Sequence, residues 1–251
     1  YTVNVDGTRN LVEASVRKRV TKFIQISSQA TKIQRQGVYG KTKNASDQIV
    51  RESQLDYVIL KPSLVYGTGE KGLFNKIKSL AKILPFVPVF GDGKTRVYPI
   101  EVRDLATIVA RVIQDNKLDK NEFDVGCAEP VTYNDVYGAI IGANKSTQLL
   151  HVPVWIGLLL AKMLSILPNP PIYSDNVLGS TQDTHCNPSP ILKRYDFNPV
   201  NFKQGSQRVL NPPKVKVAVV GLGKMGTLHM TILNTFPEVE IVALIDTNVS
   251  L

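Results

Sequence analysis

Tyr39-Gly40-Lys41-Thr42-Lys43 sets a phenol and an ammonium at a Tyr-x-x-x-Lys spacing. At a helix start that spacing puts both side chains on one face. The ammonium can then lower the phenol's pKa, which an acid–base residue working at neutral pH needs, because an unperturbed Tyr titrates near ~10. Ser28 ends the apolar run Phe23-Ile24-Gln25-Ile26 and could hydrogen-bond a substrate oxygen beside the Tyr. Ser28, Tyr39 and Lys43 together could move a proton to or from a carbinol while hydride passes to a nicotinamide.

A second stretch suits phosphate binding. Val217-Ala218-Val219-Val220 runs into Gly221-Leu222-Gly223-Lys224-Met225-Gly226, a Gly-x-Gly-x-x-Gly turn between an apolar strand and a helix. Glycines allow a tight turn and close approach of backbone amides to a pyrophosphate at a helix N-terminus. Asp246 ends the next strand about 20 residues on, where an acid bonds ribose hydroxyls. Thr247 rather than an Arg follows, which predicts NAD over NADP. The cofactor set here is Gly221, Gly223, Lys224, Met225, Gly226, Asp246 and Thr247.

The elements that must position these groups read as alternating strand and helix. Helices are expected over 4–19, 41–52, 73–83, 102–114 and 132–141, the last with Thr132 as N-cap. Strands are expected over 23–26, 57–60, 87–98 (around the turn Gly91-Asp92-Gly93) and 123–125, with a loop over 67–72. Residues 151–213 are rich in proline and read as a helical lobe followed by irregular chain. The best linker is 211–214. Beyond it, a strand (215–220), a helix (225–234) and a strand (239–245) follow. The fold class is α/β: a Rossmann-like parallel sheet, N-terminally incomplete, with a small helical substrate lobe, then the first βαβ unit of a second Rossmann domain. The expected domains are 1–210, a linker at 211–214, and 215–251. Tyr1 opens directly in a helical pattern and Leu251 follows a strand-like run, so both ends read as cut from something longer. An alternative places Val217 beside Phe23–Ile26 in one permuted sheet.

A net charge of +9 favours anionic partners, and a dinucleotide phosphate suffices. No aromatic-interleaved basic stripe or zinc spacing points to nucleic acid. Two cysteines without a CxxC predict free thiols and a reducing, cytoplasmic setting. The apolar run 154–167 is too short for a bilayer, which needs roughly 20 residues, so no transmembrane segment is expected. It reads as a lobe helix, with a surface membrane contact as the other reading. Trp155 is expected to anchor lobe packing, His229 to pack on its helix, and His151 to be structural. His185-Cys186 has no partner at ligand spacing, so no metal is expected. Asp175 is expected to cap a helix.

Three segments accompany the first trio: Asn4-Val5-Asp6-Gly7-Thr8-Arg9-Asn10-Leu11, Lys61-Pro62-Ser63-Leu64-Val65-Tyr66-Gly67-Thr68-Gly69, and Val102-Arg103-Asp104-Leu105-Ala106. In this order residues 1–210 resemble the extended short-chain dehydrogenase/reductases of the NAD-dependent epimerase/dehydratase type. The resemblance implies Ser28, Tyr39 and Lys43 as catalytic residues with Asn4 in support. It implies that Tyr39 and Lys43 also hold the cofactor and that Pro62, Ser63 and Val65 lie along the nicotinamide. It further implies NAD or NADP as cofactor, a sugar-like substrate, and a possible homodimer through the Tyr-x-x-x-Lys helix. Where the epimerases carry an Arg that grips the nucleotide diphosphate, this chain has Val97, with Arg96 one place off. With Tyr98-Pro99-Ile100 this is similar to the atypical branch containing the NAD(P)H-binding accessory subunit of respiratory complex I, which keeps a non-catalytic binding or assembly module open. Residues 215–248 resemble the opening of the Gfo/Idh/MocA dehydrogenases. Together these imply a two-domain oxidoreductase, of which this stretch alone would be inactive.

Overall fold

The structure, a computed structural model, describes residues 1–67, 73–117, 120–142, 147–166, 170, 172–210, 214–236 and 238–247. Residues 68–72 of the expected loop, 211–213 of the expected linker and 248–251 lie outside them. The chain divides into two compact units, Tyr1–Ser206 and Gln207–Leu251.

The first unit opens with a π-helical turn (Thr2–Asp6), α1 (Gly7–Arg17), β1 (Phe23–Ile26), α2 (Val38–Arg51), β2 (Tyr57–Pro62) and β3 (Val65–Tyr66). Next come α3 (Leu73–Ile83), β4 (Phe86–Phe90), β5 (Arg96–Val97), β6 (Ile100–Glu101), α4 (Val102–Gln114), β7 (Asn121–Val125) and β8 (Val131–Thr132). It continues with α5 (Tyr133–Ile141), β9 (Gln148–Val152), α6 (Val154–Leu164), α7 (Ser174–Ser180), α8 (Ser189–Arg194) and α9 (Phe202–Leu210), the last running across the division. The second unit holds β10 (Val215–Val220), α10 (Lys224–Leu233) and β11 (Val239–Ile245).

The centre of the first unit is a parallel sheet in the order β1-β2-β7. Successive side chains of a strand point to opposite faces. Val58 and Leu60 therefore meet Ile108 and Val112 of α4 and Ile191 and Leu192 of α8, while Tyr57 and Ile59 meet Val12 of α1 and Val50 of α2. Helices on both faces explain why β2 is an uninterrupted apolar run rather than an alternating one. This is the doubly covered α/β arrangement expected from the sequence.

The lobe departs from a purely helical reading. β9 pairs in parallel with β4, and β5 pairs antiparallel with β8. The stretch read as irregular chain also forms α7, α8 and α9. Its prolines start helices rather than break them: Pro153 is the N-cap of α6 and Pro190 lies in the first turn of α8. Thr132 caps α5 as expected, in a reciprocal capping box with Asp135. Two packing expectations fail. Trp155 is 67% exposed, and His229 lies on the exposed surface of α10.

In the second unit, β10 and β11 pair in parallel with α10 beside them. Among the described residues β10 pairs with β11 in one sheet and β1 with β2 in another.

Candidate active site

The parallel strands deliver their C-terminal ends to one cleft of about 670 Å³, lined by Ser28, Tyr39, Lys43, Pro62, Ser63 and Val65. Ligands of open α/β sheets bind at that end of the strands. Ser27 continues β1, its amide donating to Leu60 O at 2.7 Å. Ser28 is fully extended and half-buried, and its Oγ accepts from Ala30 N at 3.2 Å, capping a short 3₁₀ turn (Gln29–Thr31). The hydroxyl is thereby fixed at the cleft edge with its proton free to face a ligand.

Tyr39 lies in the first turn of α2, which begins at Val38 rather than near Lys41. The ring is 44% exposed and lines the cleft. One turn on, Lys43 Nζ donates to Ile26 O at 2.9 Å, so the last carbonyl of β1 pins the ammonium beside Ser28. Burial pushes the Lys43 pKa down, opposed by the Asp47 carboxylate a further turn along. Asp47 is itself fully buried, and burial raises its pKa against the Ser27 hydrogen bond and the Lys61 and Arg51 charges. Ser27 Oγ donates to Asp47 Oδ2 at 2.6 Å, while Oδ1 has no hydrogen-bond partner. The Tyr–Lys pair thus sits on a helix whose inner side holds a buried acid.

Asn4 does not line the cleft. Its Nδ2 donates to Thr42 Oγ1 at 2.9 Å, and Thr42 Oγ1 donates to Tyr39 O at 3.0 Å. Asn4 therefore touches the site only through the backbone of Tyr39, a positioning arrangement rather than direct contact with a reacting atom.

Sequence reasoning missed Asp175 as a partner of the site. The N-cap of α2 is Gly37, which has no side chain to offer, and Asp175 Oδ1 from α7 accepts from Tyr39 N at 3.1 Å instead. A Cβ on Gly37 would stand 2.2 Å from that oxygen, so the glycine makes room for the carboxylate. Asp175 caps a helix as expected, but a different one from its own. The same cleft also collects Lys76, Arg96, Val97 and Tyr173, with Lys76 Nζ 5.0 Å from the centre of the Tyr173 ring. No local signal links those positions. Asp47 was missed as well, although the spacing Lys43-x-x-x-Asp47, one more helical turn, could have pointed to it.

In the second unit Gly221 has φ +84, a conformation that favours glycine, and Gly223 is the N-cap of α10. A Cβ on Gly226 would lie 1.6 Å from Gly221 O, so only glycine fits there. Asp246 accepts from Leu222 N, so the expected ribose-binding carboxylate also holds the glycine turn closed. Lys224, Met225 and Thr247 are exposed around this turn. Among the described residues no cluster of His, Cys, Asp and Glu could hold a metal. His151 Nε2 lies 3.0 Å from Asn134 Oδ1, a structural bond.

Residues 1–126 match the NAD dependent epimerase/dehydratase family. Among curated proteins, the chain is 25% identical over 186 residues to a UDP-glucose 4-epimerase of Vibrio cholerae, covering 64% of this chain and 55% of that one. It is 35% identical over 107 residues to a ceramide reductase of Caulobacter vibrioides, covering 41% and 32%. The chain thus spans about half the length of the epimerase, at 55%. Among solved structures, UDP-glucuronic acid 4-epimerase from Bacillus cereus, in complex with UDP-glucuronic acid and NAD, superposes with a TM-score of 0.62 at 19% identity, covering 84% of this chain and 67% of that one. The match to the family over half of the sequence, on a fold shared with that structure, makes this chain a member of the NAD-dependent epimerase/dehydratase family.

Proposed function

We propose that the first unit binds NAD(P) and works on a carbonyl or carbinol group of a sugar-like substrate, with Tyr39 as acid–base, Lys43 as its electrostatic partner and ribose ligand, and Ser28 orienting the substrate oxygen. The observation that carries this reading is the convergence of all three side chains with Pro62, Ser63 and Val65 on one cleft at the C-terminal ends of β1 and β2. The cleft fits the nicotinamide end of the dinucleotide. Lys43 has two N–H groups left after its bond to Ile26 O, enough to reach ribose hydroxyls. The strand end over 62–65 gives an apolar wall for a flat ring. Bound NAD(P) supplies the acceptance and return of hydride.

The chain's own groups handle the proton. Ser28 Oγ donates to the carbonyl oxygen and holds it beside Tyr39. The Tyr39 phenol gives a proton to that oxygen or takes one from it. Lys43, one helical turn on from Tyr39, brings its ammonium to the same cleft. Asn4, through Thr42, and Asp175 fix the Tyr39 backbone from two sides. A sugar-like substrate suits the polar groups of the cleft, which include Gln29, Asn176, Gln182 and Thr184, and the cations Lys76 and Arg96 suit an anionic substituent.

The second unit is proposed as the start of a further dinucleotide-binding domain of the Gfo/Idh/MocA type, joined to residues 1–210 through 211–214. Gly221, Gly223, Lys224, Met225 and Gly226 would meet pyrophosphate, and Asp246 and Thr247 the ribose. The test of the central reading is Tyr39→Phe in the native protein. Nicotinamide-linked turnover should vanish while the cofactor Kd changes little; unchanged turnover removes Tyr39 from the chemistry.

A further inference from the structure

Asp47 stands one helical turn past Lys43 on α2 and is fully buried. A buried carboxylate is costly unless its oxygens are satisfied. Here one is not: Oδ2 accepts from Ser27 Oγ at 2.6 Å, whereas Oδ1 has no hydrogen-bond partner. A neutral amide of the same shape would fill this place at lower cost, so packing gives no reason for an acid.

The neighbouring bonds do give one. Gln25 Nε2 donates to Ser46 Oγ at 3.2 Å, Lys43 Nζ to Ile26 O at 2.9 Å, and Ser27 Oγ to Asp47 Oδ2. These three bonds set the register of α2 on the end of β1. Lys43 and Asp47 thereby hold consecutive residues of that strand end, and the next residue, Ser28, lines the cleft. Side chains four apart on a helix are neighbours, so the carboxylate lies beside the lysine that reaches the cleft. Its negative charge opposes the burial that pulls the Lys43 pKa down.

The other charges around α2 are otherwise engaged. Arg51 and Lys61 favour ionised Asp47 and Glu122 disfavours it. Both cations are bonded to Glu122, Arg51 Nε at 2.5 Å and Lys61 Nζ at 2.6 Å. Asp6 of the π-helical turn, Arg9, Glu13 and Arg17 of α1, and Lys41 of α2 itself are exposed. Tyr57 of β2 belongs to the apolar cluster with Val12 and Val50, and Asp175 of α7 is held at the Tyr39 amide. Asp47 is therefore the acid placed to act on Lys43.

Resting on the cleft reading above, we propose that Asp47 is a positioning residue of the site. It holds the Lys43 ammonium, as a cation, towards the cofactor ribose, and ties it through Ser27 to the strand end that carries Ser28.

The experiment follows NADH binding by nucleotide fluorescence from about pH 6 to about pH 10 for the native protein, Asp47→Asn and Lys43→Met. A charged donor binds more strongly than a neutral one, so affinity falls where Lys43 loses its proton. Without the Asp47 charge, burial acts unopposed and that loss comes at lower pH. Asp47→Asn should match the native protein within about twofold near pH 6. It should fall roughly tenfold or more below the native protein at an alkaline pH where the native protein still binds. An Asp47→Asn curve that coincides with the native one, or is weaker by the same factor at every pH, would overturn the proposal, since the acid would then shape the helix without governing the charge. Loss of the folded state in Asp47→Asn, read by thermal denaturation, would overturn it too, because the acid would then serve the fold. NADH affinity that Lys43→Met leaves unchanged at every pH would remove the cleft reading itself, and the proposal with it.

Discussion

Gly37 and Asp175 give the sharpest stability prediction, because one interaction is read from two sides. Asp175 Oδ1 caps α2 at the Tyr39 amide, 3.1 Å away, and Gly37 leaves the space it needs. Losing a capping side chain costs about 1 kcal/mol. For a domain of about 150–250 residues that is roughly a 2–4 °C fall in Tm, the change expected for Asp175→Ala. Gly37→Ala places its Cβ 2.2 Å from Oδ1 and 2.5 Å from Cγ, so the carboxylate must move away and the cap is lost again. The Gly37 backbone, φ −80 and ψ −168, is one alanine adopts without strain, so the same substitution gains about 0.4–1 kcal/mol from a stiffer unfolded chain. Gly37→Ala should therefore be neutral to destabilising in the native sequence but stabilising in the Asp175→Ala background. Thermal and urea denaturation of the four proteins completes the cycle, with a coupling energy of about 1 kcal/mol. An equal Tm change for Gly37→Ala in both backgrounds would refute the shared-cap argument.

Further outcomes follow from the same geometry. Glu122 is held at about 2 chiefly by its hydrogen bond to Arg51, with burial opposing and Lys61 adding to the fall. A depressed carboxylate stabilises the fold above its ordinary range and loses that contribution as pH falls through the folded value. Glu122→Gln should therefore flatten the fall in Tm between about pH 4.5 and 2, and an unchanged slope would deny Glu122 that role. Asp47 has the opposite sign: burial raises its pKa, so its stabilising share declines as pH rises from the ordinary carboxylate range. Asp47→Asn should gain on the native protein between acidic and neutral pH, read as the difference in urea midpoints; a gap that narrows would contradict this. Gly226→Ala drives a Cβ to 1.6 Å from Gly221 O and should open the second unit to limited proteolysis while the first keeps its Tm. Intact resistance would mean that the turn tolerates a side chain.

What could be read in advance was local. The buried run of β2, the amphipathic α4 and the Thr132 cap depend on neighbours a few residues away, and periodicity or side-chain type reveals them. The Tyr39–Lys43 face was legible for the same reason. β9 was hidden because its partner β4 lies far back along the chain and Pro153 follows it directly. Asp175 reaches Tyr39 across a sequence separation of 136, a distance no spacing rule spans. Trp155 was misplaced because an apolar side chain was taken to be a buried one, and a folded surface retains much apolar area.

The most direct test of the account is equilibrium binding of NADH to the native protein, its Lys43→Met variant and its Gly226→Ala variant. NADH binding to the first unit should survive Gly226→Ala and weaken roughly tenfold or more with Lys43→Met, which removes a charged hydrogen-bond donor from the ribose. Binding that ignores Lys43 and disappears with Gly226→Ala would place the nucleotide in the second unit alone and contradict the cleft assignment.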